Sequence, residues 1–237
     1  MQSRAIAIAV YKKKDCMTTR QEFALAFQAA LNVSRQELYG EVEDRQLPKS
    51  LADAAQTPYL GFVGSGYKTG GTCLIAANPG GGGDGQEKTD EDAALEKRIF
   101  ALRGALAGDA EKALADVTAD YFEQLKIINL RKIVKPVLVA CKSDITDVAF
   151  LNIFPYRTLC NTPPSSKVLR RSIDLIVRPL VDLLAPSRIV ILGLGVGKVA
   201  YEPLNARKKY VVERTIGDSR LCDNAKEVLR VIETDRA

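Results

Sequence analysis

The spacing of hydrophobic and polar positions changes character near residue 60. Before it, apolar residues recur three and four apart: "TTRQEFALAFQAALN" places them on one side of a helix behind a threonine cap, and "SRQELYGEVEDRQLP" starts behind a serine cap. A helical lead-in over residues 1–56 is expected. From "GGTCLIAANPGGGG" onward, short apolar runs ending in Gly, Asn or Pro alternate with longer amphipathic segments, the pattern of a parallel α/β sheet. The runs at 72–77, 148–154, 188–192 and 209–213 are the expected strands. Two or three helices should fill the span between the first two. One long helix, "PPSSKVLRRSIDLIVRPLVDLLAPS", has a Ser-rich start and a Pro stop and joins the next pair. A short helix should follow Gly193, and "SRLCDNAKEVLRVIE" should close the fold.

In an open parallel sheet, ligands bind beyond the carboxyl ends of the strands. The unusual residues of this chain collect there: "NPGGGGD" after the first strand, "NIFPYRTLCN" at the end of the second, "GLGVGK" after the third and "RTIGDSR" after the fourth. Composition narrows the chemistry. With 237 residues, 46% of them hydrophobic, the chain suits one domain over 1–237. A net charge of +5 is compatible with a polyanionic partner. Five cysteines with no CxxC pair suggest neither a zinc site nor a disulfide framework, and point to a reducing cytoplasm. The first apolar run is too short for a signal segment and there is no run of eighteen apolar residues, so a soluble, cytoplasmic protein without membrane contact is expected. The chain has no histidine, which excludes any imidazole base, acid or ligand.

The glycine motifs differ in weight. "GLGVGK" is one residue short of a phosphate loop and has Val199 where Ser or Thr is needed. Nor are its glycines spaced as in a dinucleotide fingerprint, so it reads as a tight strand-to-helix turn. "ANPGGGGDG" lets backbone N–H groups approach a ligand closely while Pro79 fixes the turn. A plain surface loop would explain the glycines but not Asn-Pro at a strand end. Asn152 is an amide in an apolar strand, and leaving it unsatisfied would cost about 1–3 kcal/mol. It either bonds to neighbouring backbone or offers its donor and acceptor to a base edge. Arg157, Lys167, Arg170, Arg171, Arg207, Lys208, Lys209, Arg214 and Arg220 flank the same loops, as solvated helix faces or as phosphate contacts. Tyr67, Phe154 and Tyr156 are either core aromatics or platforms for a flipped base.

Together these segments resemble the uracil-DNA glycosylase superfamily. "VAFLNIFPYRTLCNTPPSSKVLRRSIDLIVRPLVDLLAPSRIVILGLGVGKVA" is similar to its middle block, and "LIAANPGGGGD" to its first active-site motif in the Asn-Pro-Gly form; the match spans roughly residues 57–232. The resemblance implies a three-layer α/β/α sandwich around a central four-stranded parallel sheet. It also implies a monomeric base-excision repair enzyme that flips uracil out of single- or double-stranded DNA and hydrolyses its glycosidic bond, with no metal or cofactor. Asn78 would position the water, with Asp84 the nearest carboxylate. Ala77, Gly80, Gly81, Asn152, Phe154 and Tyr67 would surround the base, Asn152 reading it. Arg157, Lys167, Arg170, Arg214, Ser219 and Arg220 would contact DNA. The chain departs from the pattern at 214–220, where most branches carry His-Pro-Ser, and it lacks the stacking "PFVG" and the cysteines of an iron-sulfur cluster.

Base removal passes through an oxocarbenium-like sugar and a departing uracil anion, so stabilising charge matters more than a strong base. Backbone N–H groups of the glycine loop, the Asn152 amide, or Arg214 or Arg220 would stand in for the missing histidine. Unstacking the base costs a few kcal/mol. Two other readings of the same residues are a reader of uracil or damaged DNA that has lost the chemistry, and a nucleotide-binding α/β protein resting on "GLGVGK" and "GGGGDG".

Overall fold

A computed structural model describes residues 18–47, 56–80, 89–127, 130–213 and 221–235. Four parallel strands stand where the apolar runs predict them: β2 (Thr72–Ala76), β3 (Val148–Asn152), β4 (Arg188–Leu192) and β5 (Lys208–Val212). Every residue of β2, β3 and β4 is buried, which is why they read as continuous apolar runs rather than alternating ones. The four-stranded expectation is corrected to five, because β1 (Gly61–Val63) adds an antiparallel edge to β3. Three residues are too few to show a period. Gly61 is required there: its φ is +120°, and a Cβ would lie 1.9 Å from the Phe150 carbonyl oxygen.

The strand order is β1-β3-β2-β4-β5. The chain steps from β2 outward to β3, then returns past β2 to β4. That reversal puts the topological switch point between β2 and β4, outside their carboxyl ends. Right-handed crossovers in opposite directions lay their helices on opposite faces of the sheet.

The helices follow their caps. In the lead-in, α1 (Thr19–Ala30) begins at Thr18 and α2 (Arg35–Tyr39) at a Ser34/Glu37 capping box. Between β2 and β3 lie α3 (Asp90–Gly104), opened by a Thr89/Asp92 capping box, α4 (Ala110–Ile127) and α5 (Arg131–Cys141). The expected long helix is α6 (Ser166–Ser172) and α7 (Arg178–Leu184) joined through a π turn at Ile173–Val177; Pro179, which has no N–H to donate, accounts for the slipped register. Then come α8 (Leu194–Ala200) and the closing α9 (Asp223–Thr234). α5 packs on α9, which lies on β5; α6 packs on α8, which lies on β4 and β5; α1, α3 and α4 pack on one another, α4 also meeting β1. One connected core runs from Phe23 to Ile232. Among the described residues no helix is long and apolar enough to cross a membrane.

Candidate functional site

The site is assembled where β2 and β3 end side by side. Ala76 pairs with Asn152, and the ladder continues beyond both strands: Ile153 N–H donates to the Ala76 carbonyl (2.9 Å) and Phe154 N–H to that of Ala77 (2.8 Å). This brings Asn78 against the loop that leaves β3. Its Nδ2 donates to Thr158 Oγ1 (2.8 Å) and to the Pro79 carbonyl (3.2 Å). With the amide hydrogens held on that side, an outside donor has to meet Asn78 at Oδ1. Asn78 is half-buried, Ala77 buried and Gly80 exposed, with nothing among the described residues near the position a Gly80 Cβ would take.

Asn152 is 4% exposed. Its Nδ2 donates to the Tyr59 carbonyl (2.8 Å), and its backbone N–H to that of Leu60 (2.8 Å). One amide hydrogen thus has the neighbouring-backbone role. Tyr59 is itself fixed, its N–H donating to the Pro155 carbonyl (2.6 Å), so the ends of β2 and β3 and the lead into β1 form one hydrogen-bonded unit.

Several predicted contacts are not in reach of this unit. Phe154 is fully buried, edge-on to Tyr39 and Tyr156 and beneath the Arg35 guanidinium at 5.4 Å, so it is a core ring and not a platform for a base. Tyr67 lies before β2, at the amino end of the sheet, where it packs on Phe23 and its hydroxyl donates to the Leu184 carbonyl (3.0 Å). The structure does not bring it to Asn78. Tyr156 is buried too, its hydroxyl donating to the Val33 carbonyl.

Arg157 is not a phosphate contact but the cation of a buried network. Its Nη2 is 2.5 Å from Asp92 Oδ1 and 3.4 Å from the Tyr59 hydroxyl, with the guanidinium over the Tyr59 ring at 5.0 Å. The Tyr59 hydroxyl donates to buried Glu96 (2.6 Å), and Gln124 Nε2 donates to Asp92 (2.7 Å). Burial works against the Arg157 charge, but Tyr59 and Asp92 outweigh it and raise the guanidinium pKa. Burial likewise pushes the Tyr59 phenol well above its ordinary value. Sequence reasoning missed this cluster. Its one local signal is the Thr89-x-x-Asp92 capping box with a second acid, Glu96, one turn on.

The basic residues expected near the site divide between the two ends of the sheet. Lys167, Arg170 and Arg171 on α6 are exposed, as is Lys198 on α8, and both helices follow strand ends at the Asn78 side. Arg207, Lys208 and Lys209 instead stand at the amino end of β5, so they do not flank the site. Lys208 pairs with Asp235, and Lys209 Nζ donates to the Tyr201 carbonyl (2.5 Å) above that ring. A shallow groove of about 400 Å³ lies at that same far end, between Ala185, Pro186, Asn205 and Lys209. "GLGVGK" is a tight strand-to-helix turn: Gly193 has φ +122°, and Gly197 lets α8 lie flush on Val211 of β5. Among the described residues no three His, Cys, Asp or Glu side chains are grouped to hold a metal. Asp84, Gly81, Arg214, Ser219 and Arg220 lie outside the described residues.

No protein-family model matches the chain, and no curated protein matches it. Fold and site together define a class: a mixed α/β protein whose described residues form a five-stranded, mostly parallel sheet that carries two asparagines at the carboxyl ends of adjacent strands.

Proposed function

We propose that the protein is a uracil-DNA glycosylase of base-excision repair, a cytoplasmic monomer whose helices sandwich the sheet as in that superfamily. The observation that carries this reading is the Asn78 amide. Thr158 and Pro79 hold its hydrogens, so its oxygen is the group that accepts from a water. The chemistry asks for little more than that orientation, because the oxocarbenium-like sugar is itself strongly electrophilic. Water adds to the anomeric carbon as the bond to the base breaks; uracil departs as an anion and takes up a proton, leaving an abasic site. Asp84, six residues on in the sequence, is the carboxylate this reading assigns to electrostatic or base help. Donors from that segment, from the Asn152 amide, and from Arg214 or Arg220 stabilise the uracil anion. Lys167 and Arg170 meet DNA phosphates.

Single-turnover cleavage of an end-labelled oligonucleotide containing one deoxyuridine, single-stranded or paired with G or A and then treated with alkali, tests the reading. Cleavage that Asn78→Ala abolishes while DNA affinity survives is the expected result. A second reading, a uracil-DNA reader without chemistry, is favoured by the absence of histidine. It predicts tight binding of uracil-DNA with no cleavage in the same tubes.

A further inference from the structure

We infer that Thr158 is the positioning residue of this site, setting the orientation of the Asn78 amide, and that the segment from Val33 to Gln46, with α2 in it, holds Thr158 there. The chemical half of this inference rests on the glycosylase reading.

An asparagine amide presents two ends of nearly equal size, and free rotation would offer an incoming water the NH2 group as often as the oxygen. Acceptors alone break that symmetry. The Pro79 carbonyl can only accept, which fixes the sense of the amide. Thr158 Oγ1 makes the shorter bond, 2.8 Å against 3.2 Å, and fixes its direction. Thr158 is wholly buried, so no water substitutes for its hydroxyl.

Thr158 belongs to a loop, and both of its neighbours are bonded to the N-terminal segment. Arg35 Nη1 donates to the Arg157 carbonyl, and Leu159 N–H donates to the Gln46 carbonyl (2.7 Å). One residue further back, Tyr156 reaches the Val33 carbonyl. Arg35 is locked in turn: it is buried, gripped by both oxygens of Asp44, and stacked over the Tyr39 and Phe154 rings. Beyond Leu159 the chain turns away through two consecutive non-glycine residues at positive φ, Cys160 (51°) and Asn161 (56°), a conformation that persists only where the surroundings impose it. The helical lead-in, which carries no chemical motif of its own, thereby becomes the brace of the catalytic asparagine.

The test compares Thr158→Val, which keeps the shape and removes the acceptor, with Thr158→Ser, which keeps the acceptor. Single-turnover cleavage of the uracil oligonucleotide should fall about a hundredfold in Thr158→Val, the scale of an approximately 1 Å misplacement. DNA affinity should be unchanged and Thr158→Ser close to wild type. The Asn78 side-chain amide resonances of 15N-labelled protein provide a readout independent of turnover: they should be protected from exchange in wild type and Thr158→Ser, and unprotected in Thr158→Val. Full cleavage by Thr158→Val overturns the inference and leaves the glycosylase reading standing. Inert wild-type protein overturns the glycosylase reading and the chemical half together, and unprotected Asn78 resonances in wild type overturn the positioning half. Should Thr158→Val not fold, the wild-type and Thr158→Ser resonances and rates decide.

Discussion

Replacing Arg157 with methionine separates a structural role from a DNA-binding one. The Arg157 and Asp92 side chains are 4% and 10% exposed and 2.5 Å apart, so solvent screening does little to soften their interaction. Methionine fills most of the space of the arginine stem but leaves Asp92 without the Arg157 cation. Removing one partner of a buried pair typically costs about 3–5 kcal/mol, because the remaining charge is stranded. For a chain of this size each kcal/mol lowers the melting temperature by about 2–4 °C, so a drop of roughly 6–20 °C is expected at neutral pH. Urea denaturation with an unchanged m value measures this directly. A loss below about 1 kcal/mol, or intact stability with a DNA-binding salt slope lowered by about one, would refute the buried-pair argument and return Arg157 to the DNA surface.

Three further outcomes are expected. Burial alone would raise the Asp44 pKa, but the bonds and charge of Arg35, with help from Tyr39, hold it below the usual carboxylate value near 4. Its contribution to stability is therefore complete above that value and lost as pH falls through the depressed one, and Asp44→Asn should flatten this acid limb in urea titrations. Removing Lys167 and Arg170 together should lower the salt slope of DNA binding by about two and leave the melting temperature unchanged, since both side chains are exposed. An unaltered slope would make them solvated helix faces only. Gly197→Ala should destabilise by about 1–3 kcal/mol, because its Cβ would sit 2.7 Å from Val211 Cγ1, whereas Gly195→Ala, with open space around it, should be neutral or stabilising in calorimetry.

The four parallel strands were legible because burial on both faces turns a strand into an apolar run, and Asn78, Gly193 and the caps of α1 and α2 mark where such elements start and stop. From the order of those runs alone, the loops after β2, β3 and β4 could be assigned to one end of the sheet. Which side chains occupy that end was another matter. Tyr67 and Lys209 look as suitable as Asn152 in sequence, yet they stand at the amino end, because a residue before a parallel strand and one after it differ in place by the strand's full length. Arg157 reads as a phosphate ligand until its partner Asp92, 65 positions away, is beside it. Thr158 carries no signal at all until Asn78, 80 positions earlier, is 2.8 Å away. Hydrophobic period and cap chemistry are local, set by neighbours within a turn or a strand, and the sequence by itself determined what they specify. The partner of a buried charge and the orientation of a polar amide depend on contacts made only when distant segments pack, and those the tertiary structure decided.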